Sequence, residues 1–209
     1  MTGTIHPQHA ATEPRWRPAP HFVNADLPAA TRAWLLDDGS LTGRLIASGT
    51  GRFSVNRLRQ CWQTPRPSEQ RLLGIPPRQR ALVREVTLMI DATPVVFARS
   101  VFPASSLTGE LRRLRQLRNR ALGAILFRFT TMHRSPFEVA RMAGDCAYLP
   151  DFLHQPEPAW GRRSCFDIGG KRLLVSEVFL RHFRPWRALL PVHRSQRGKV
   201  SAAILRPKQ

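Results

Sequence analysis

The sequence predicts an α+β fold built on a single antiparallel β-sheet packed with helices. Two stretches, 81–102 and 164–180, set apolar runs on either side of a turn signal and read as β-hairpins. Short helical patterns lie before and between them. The order of segments lacks the strand–helix–strand rhythm that a parallel sheet requires.

Residues 1–26 contain Pro7, Pro14, Pro18 and Pro20 with little apolar periodicity and read as a flexible arm. A first helix is expected from Pro28 to Leu36, with Trp34, Leu35 and Leu36 at its apolar end and Gly39 as its stop. Ser40 opens a second short helix carrying Leu41, Leu45 and Ile46, which Gly49 and Gly51 terminate. Phe53–Leu58 has a strand pattern, followed by a Pro- and Gln-rich connection through Pro77. Ala81–Ile90 and Val95–Phe102 are strands joined by the turn Asp91-Ala-Thr-Pro94, and Pro103 ends the second. Leu107, Leu111, Leu114 and Leu117 then recur at helical spacing among Arg112, Arg113, Arg115, Arg118 and Arg120, as in an amphipathic surface helix. Ala121–Phe127 is apolar and compatible with helix or strand. Ser135-Pro-Phe-Glu138 has the form of a capping box with proline at the first helical position, predicting a helix to Met142. Residues 145–159 read as irregular. Ser164–Ile168, the Gly169-Gly170 turn and Lys171–Leu180 make the second hairpin. The folded domain so defined spans 27–182, leaving 183–209 as a basic tail.

The 209 residues are 42% hydrophobic, enough for a real core and unlike a disordered chain. No apolar run approaches the ~18–20 residues of a membrane span, and the N-terminus lacks the pattern of a secretory signal. Three scattered cysteines are expected to stay reduced, consistent with a cytoplasmic protein. The net charge of +19 first suggests a nucleic-acid partner. Residues 1–33 are net +1, whereas 181–209 carry eight cations and no acid. Of the 33 cations 30 are arginine, a bias that codon composition explains as readily as function. Neither terminal segment interleaves aromatics with its charge or carries a recognised motif, so nucleic acid is not a required partner. The tail is suited at most to weak attraction to an anionic membrane. Cys61, Cys146 and Cys165 lack zinc-like spacing and no histidines pair at i, i+4, so no metal site is expected. Ser48, in ASGTG, lacks the context of a nucleophile elbow, and no phosphate-binding loop is present.

Strand periodicity singles out three charged residues. Leu82, Arg84, Val86, Leu88 and Ile90 share a face, as do Val95, Phe97, Arg99 and Val101 on the partner strand. A turn pairing 91 with 94 pairs 86 with 99 and 84 with 101, which sets Arg84 and Arg99 on one face as diagonal neighbours. Guanidiniums on an apolar face are costly unless an anion meets them. Either nearby carboxylates or solvent satisfy them, or the pair holds a bound dianion. On the second hairpin, Glu177 interrupts the apolar face of Leu173, Val175 and Phe179. It is either the counter-ion of Arg84 or Arg99, or a carboxylate in a dry pocket able to bind a hydroxyl or handle a proton.

These residues lie in motifs that resemble those of the chorismate lyase (chorismate pyruvate-lyase) family. VREVTLMID (83–91), ARSVFP (98–103), WGRRS (160–164) and SEVFL (176–180) carry the resemblance, with WLLDDGSLT (34–42) and ALGAILF (121–127) in the family order. The resemblance implies conversion of chorismate to 4-hydroxybenzoate and pyruvate, the first committed step of ubiquinone biosynthesis, by a cytoplasmic monomer without a cofactor. It also implies a ligand pocket covered by helical flaps. Arg84 matches the family arginine that holds the ring carboxylate, and Glu177 the glutamate at the hydroxyl end. Leu41 falls on a flap methionine and Leu122 on a flap leucine. Arg99 matches a further arginine, assigned here to the enolpyruvyl carboxylate and to charge on the departing oxygen. The segment between Gly144 and Trp160 is longer than the family's connection, and 182–209 does not match. A non-catalytic small-acid sensor of related fold is the alternative, although the segment before Trp34 is too short and proline-rich for a helix-turn-helix module.

Overall fold

The computed structural model describes residues 13–22, 27 and 29–185, with the backbone of 193–194 and 200–201. Strands β1 (Arg17–Pro18), β2 (Phe53–Gln63), β3 (Ala81–Ile90), β4 (Thr93–Pro103), β5 (Met132–Arg134), β6 (Glu138–Met142), β7 (Ala159–Ile168) and β8 (Lys171–Phe179) form one sheet. Its order is β1-β6-β7-β8-β4-β3-β2, with β5 also on β7, and every pairing is antiparallel. The α+β fold read from the sequence is the fold observed.

Both hairpins form where the apolar runs placed them, and two long strands run further than expected. Phe53 begins a strand that continues to Gln63, and β7 starts at Ala159 rather than Ser164. The first two helices are Ala29–Leu35 (α1) and Leu41–Ala47 (α2), the latter capped by the Ser40 hydroxyl, which accepts from the Gly43 N–H. A further helix, α3 (Pro67–Leu73), occupies what reads as a loop. The leucines from 107 to 117 face inward as expected, but over a 3₁₀ helix at Gly109–Gln116. The segment 121–127 contains one helical turn, α4 (Gly123–Leu126).

The predicted helix at 135–142 is instead the strand β6. Val139, Ala140 and Met142 pair with Arg162, Gly161 and Ala159 of β7, and all three are buried there. Glu138, rather than closing a cap, accepts from Arg163 Nε at 2.6 Å. The capping signal is local, and the sheet overrides it. Within the stretch read as an arm, Arg17 pairs with Val139 and the Trp16 ring rests edge-on against Tyr148. Beyond residue 182, Phe183 is buried against Trp34 and Phe179. The remainder of the basic tail, apart from the four backbone positions named, lies outside the described residues.

Register decides what each face of the sheet carries. The turn at Asp91-Ala92 pairs Ile90 with Thr93, and an irregularity then leaves Leu88 opposite Val96. Arg84 therefore faces Ser100, and Arg99 faces Glu85. The two arginines lie on opposite faces of the sheet, not on one as expected, because a one-residue slip reverses every side chain beyond it.

Each face consequently has a polar seam between two apolar clusters. On one face, Trp34, Leu41, Leu45, Val86 and Leu88 pack at one end, and Leu82, Phe102, Leu114, Leu126 and Phe166 at the other. On the opposite face, clusters around Phe97 and Tyr148 and around Val83 and Leu174 flank a row in which Glu85, Arg99, Ser176, Arg163 and Glu138 are successive cross-strand neighbours.

Candidate active site

The seam on the first face is built from two adjacent cross-strand rows. One reads Gln60, Arg84, Ser100, Val175, Ser164 from β2 to β7, and the next contains Val86, Ala98, Glu177 and Arg162. Arg84 and Glu177 are thus two strands and two residues apart, about 12 Å between Cα atoms from standard sheet spacings. Leu41, Thr42 and Ser40 at the start of α2, and Leu122, Gly123 and Leu126 around α4, cover the space between them. The space left by atoms in this cavity, including the part open to solvent, is about 520 Å³. A Cβ on Gly123 would lie 3.0 Å from the Ser40 hydroxyl, so glycine lets the two covering segments meet.

Arg84 is buried at one end. Its terminal nitrogen donates to the carbonyls of Arg118 (3.0 Å) and Arg120 (2.9 Å), at the root of the α4 cover. No carboxylate of the described residues meets it, and its buried Nε has no hydrogen-bond partner among them. Burial, and to a lesser degree Arg57, pushes the guanidinium down to about 10. Such a cation is preorganised for a carboxylate.

Glu177 stands at the other end, its side chain 14% exposed, and its Oε2 accepts from Arg162 Nε at 2.6 Å. Its counter-ion is thus neither Arg84 nor Arg99. Arg134 of β5 also lines the cavity, held between the rings of Phe137 and Phe166 and donating from Nε to the Ser164 hydroxyl at 2.7 Å. Burial first, then Arg162, pushes its guanidinium down to about 9, only partly offset by Glu177. Arg134 reads in the sequence as one arginine among thirty, in a three-residue strand with no apolar periodicity to mark it. Arg162 lies within the WGRRS motif, yet only the pairing of β7 with β8 shows that it serves Glu177.

Arg99 does not reach this cavity. On the opposite face its Nε donates to Glu69 Oε1 at 2.7 Å and its NH1 to Glu85. Burial opposes its charge, but the Glu69 hydrogen bond and these carboxylates hold it above the ordinary arginine range. The expectation that Arg99 binds the enolpyruvyl carboxylate is corrected on this geometry; the register at Val95 is the cause. Arg84, Glu177, Leu41 and Leu122 all line the one cavity. Among the described residues no group of three His, Cys, Asp or Glu side chains could hold a metal ion. None of their helices is long and apolar enough to cross a membrane.

Fold and site together define an α+β protein with a cavity, lined by two arginines and a glutamate, beneath helical covers. The sequence profile of the chorismate lyase family matches residues 12–187, and the chain belongs to that family of enzymes. Proteins named probable chorismate pyruvate-lyase share this similarity. That of Halorhodospira halophila is 39% identical over 179 residues (82% of this chain, 94% of its own), and that of Methylococcus capsulatus 44% over 151 (71% and 93%). The Pseudomonas aeruginosa (strain UCBPP-PA14) protein is 45% identical over 147 residues, 70% of this chain and 81% of its own. Among solved structures, PhnF from Mycobacterium smegmatis shares the fold at a TM-score of 0.51 and 16% identity, covering 70% of this chain and 65% of that one.

Proposed function

We propose that the protein converts chorismate to 4-hydroxybenzoate and pyruvate, supplying the aromatic precursor of ubiquinone in the cytoplasm without a cofactor. One observation carries this reading: a buried arginine without a carboxylate partner among the described residues faces a glutamate across a covered cavity. Chorismate is a dianion whose ring carries a carboxylate at one end and a hydroxyl at the other. Arg84 takes the ring carboxylate through its Nε and remaining N–H groups. Glu177 accepts the ring hydroxyl's hydrogen bond. Arg134, beside Glu177, meets the enolpyruvyl carboxylate and the ether oxygen that departs.

In the reaction the ring carbon–ether oxygen bond breaks and the hydrogen on the hydroxyl-bearing carbon leaves as a proton. The terminal enolpyruvyl carbon gains a proton, and the products are pyruvate and an aromatic ring. No electrons are exchanged with an outside group, and aromatisation drives the reaction. The protein's task is to hold two carboxylates, exclude water and stabilise negative charge at Arg134 as the bond breaks.

Purified protein incubated with chorismate, with no added metal, is expected to release equimolar 4-hydroxybenzoate and pyruvate, followed by absorbance and a coupled pyruvate assay. Glu177→Gln should lower kcat by about 10²–10³-fold, the scale of losing one preorganised polar contact in a dry site. Saturable binding without turnover would instead make the protein a small-acid sensor.

A further inference from the structure

Arg162 is fully buried and touches both the site and its cover. One nitrogen, Nε, donates to Glu177 Oε2 at 2.6 Å. Another, NH1, donates to the carbonyls of Trp34 and Asp37, both at 2.7 Å. Those carbonyls lie at the end of α1 and in the link that precedes α2, and residues 39–42 of that segment line the cavity. The same link is gripped from two other directions. Arg44 donates to the Ala33 carbonyl and the Asp37 carboxylate, and Arg134 to the carbonyls of Asp38 and Gly39.

We infer that Arg162 is a positioning residue for the lyase reaction, aligning the Glu177 carboxylate and anchoring the α2 cover through the same planar guanidinium. The inference rests on the proposed role of Glu177 at the substrate hydroxyl. A guanidinium can serve three acceptors in fixed directions; an ammonium on a flexible stem cannot reproduce that fork. The carboxylate and the cover therefore hold a fixed relation to each other through Arg162.

Arg162→Lys keeps a cation in the buried position and separates alignment from charge. Its expected effect is a kcat lowered about 10²-fold, the cost of misplacing a reacting contact by about 1 Å, with a smaller change in KM. In a Glu177→Gln background the same substitution should cost less than about threefold further, because both changes remove one contribution. Hydrogen exchange should quicken over amides 34–42 in Arg162→Lys. Arg163→Lys is the control, since its neighbouring guanidinium is also buried but pairs with Glu138 on the opposite face; it should change neither kcat nor exchange at 34–42. Equal losses in the two lysine variants, multiplicative losses with Glu177→Gln, or unchanged exchange at 34–42 would overturn the inference. If the unmodified protein fails to consume chorismate, the proposed function falls. Exchange at 34–42 in the two variants then still decides whether Arg162 anchors the cover.

Discussion

Replacing Arg84 by methionine should separate ligand binding from folding. Arg84 is 2% exposed, has no carboxylate partner among the described residues, and its guanidinium is pushed from 12.5 down to about 10 mainly by burial. That displacement corresponds to about 3 kcal/mol for keeping the charge in the unliganded protein. Its loss is offset by the removal of hydrogen bonds to the Arg118 and Arg120 carbonyls, worth about 1.5–3 kcal/mol each when the donor is charged. Methionine fills a similar apolar stem, so net stability should fall by no more than about 3 kcal/mol. Ligand binding has no such compensation. Removing one partner of a buried charge pair costs about 2–5 kcal/mol, so kcat/KM for chorismate should fall about 30- to 5,000-fold. Urea unfolding of the unliganded proteins measures the first quantity and initial rates the second. Thermal shifts with 4-hydroxybenzoate supply a third reading: the unmodified protein should be stabilised and Arg84→Met should not. A near-normal kcat/KM, or a stability loss above about 4 kcal/mol, would refute the assignment of Arg84 to the ligand.

Other consequences concern the remaining charges and one glycine. Because only the protonated guanidinium binds an anion, and burial brings Arg134 to about 9 and Arg84 to about 10, kcat/KM should decline as pH rises through that range. A profile flat to pH about 10.5 would contradict this. Arg99→Gln should leave the kinetics of the folded protein unchanged but destabilise it by about 3–5 kcal/mol in urea, since it strands Glu69 and Glu85. Gly144→Ala would set a methyl 2.0 Å from the Gln155 carbonyl oxygen and 2.5 Å from that of Glu157. It should cost about 1–3 kcal/mol, seen as a Tm lower by several degrees.

Much of the fold was legible because the two hairpins alternate strongly and their turns are marked by Asp91 and Gly169-Gly170. Arg84 and Glu177 were legible for the same reason, as single charges in otherwise apolar faces. Arg99 looked equivalent to Arg84, and by periodicity it is. What separates them is the unpaired Val95, whose effect depends on how the strands meet and not on the residues of either strand alone. The helix expected at 135–142 failed because a four-residue capping pattern carries less energy than burying Val139, Ala140 and Met142 against β7. Arg134 was hidden by its surroundings: its place at the cavity comes from Phe137, Phe166 and the α1–α2 link, which converge on it only in three dimensions.

Val95 acts as a counting device. Were the hairpin to pair regularly from Ile90 and Thr93 with every residue kept, Arg99 would fall opposite Arg84 rather than Glu85. Arg99 would then enter the cavity, Ala98 and Ser100 would turn away from it, and Glu69 and Glu85 would lose their partner. Deleting Val95 itself removes the irregularity together with the extra residue, and leaves Leu88 opposite Val96 and Glu85 opposite Arg99. The one extra residue, and not the composition of either strand, is what sets Arg99 on the face away from the cavity. In relatives with hairpins of other lengths, the residue aligned with Arg99 cannot be assigned to a face until its turn has been counted.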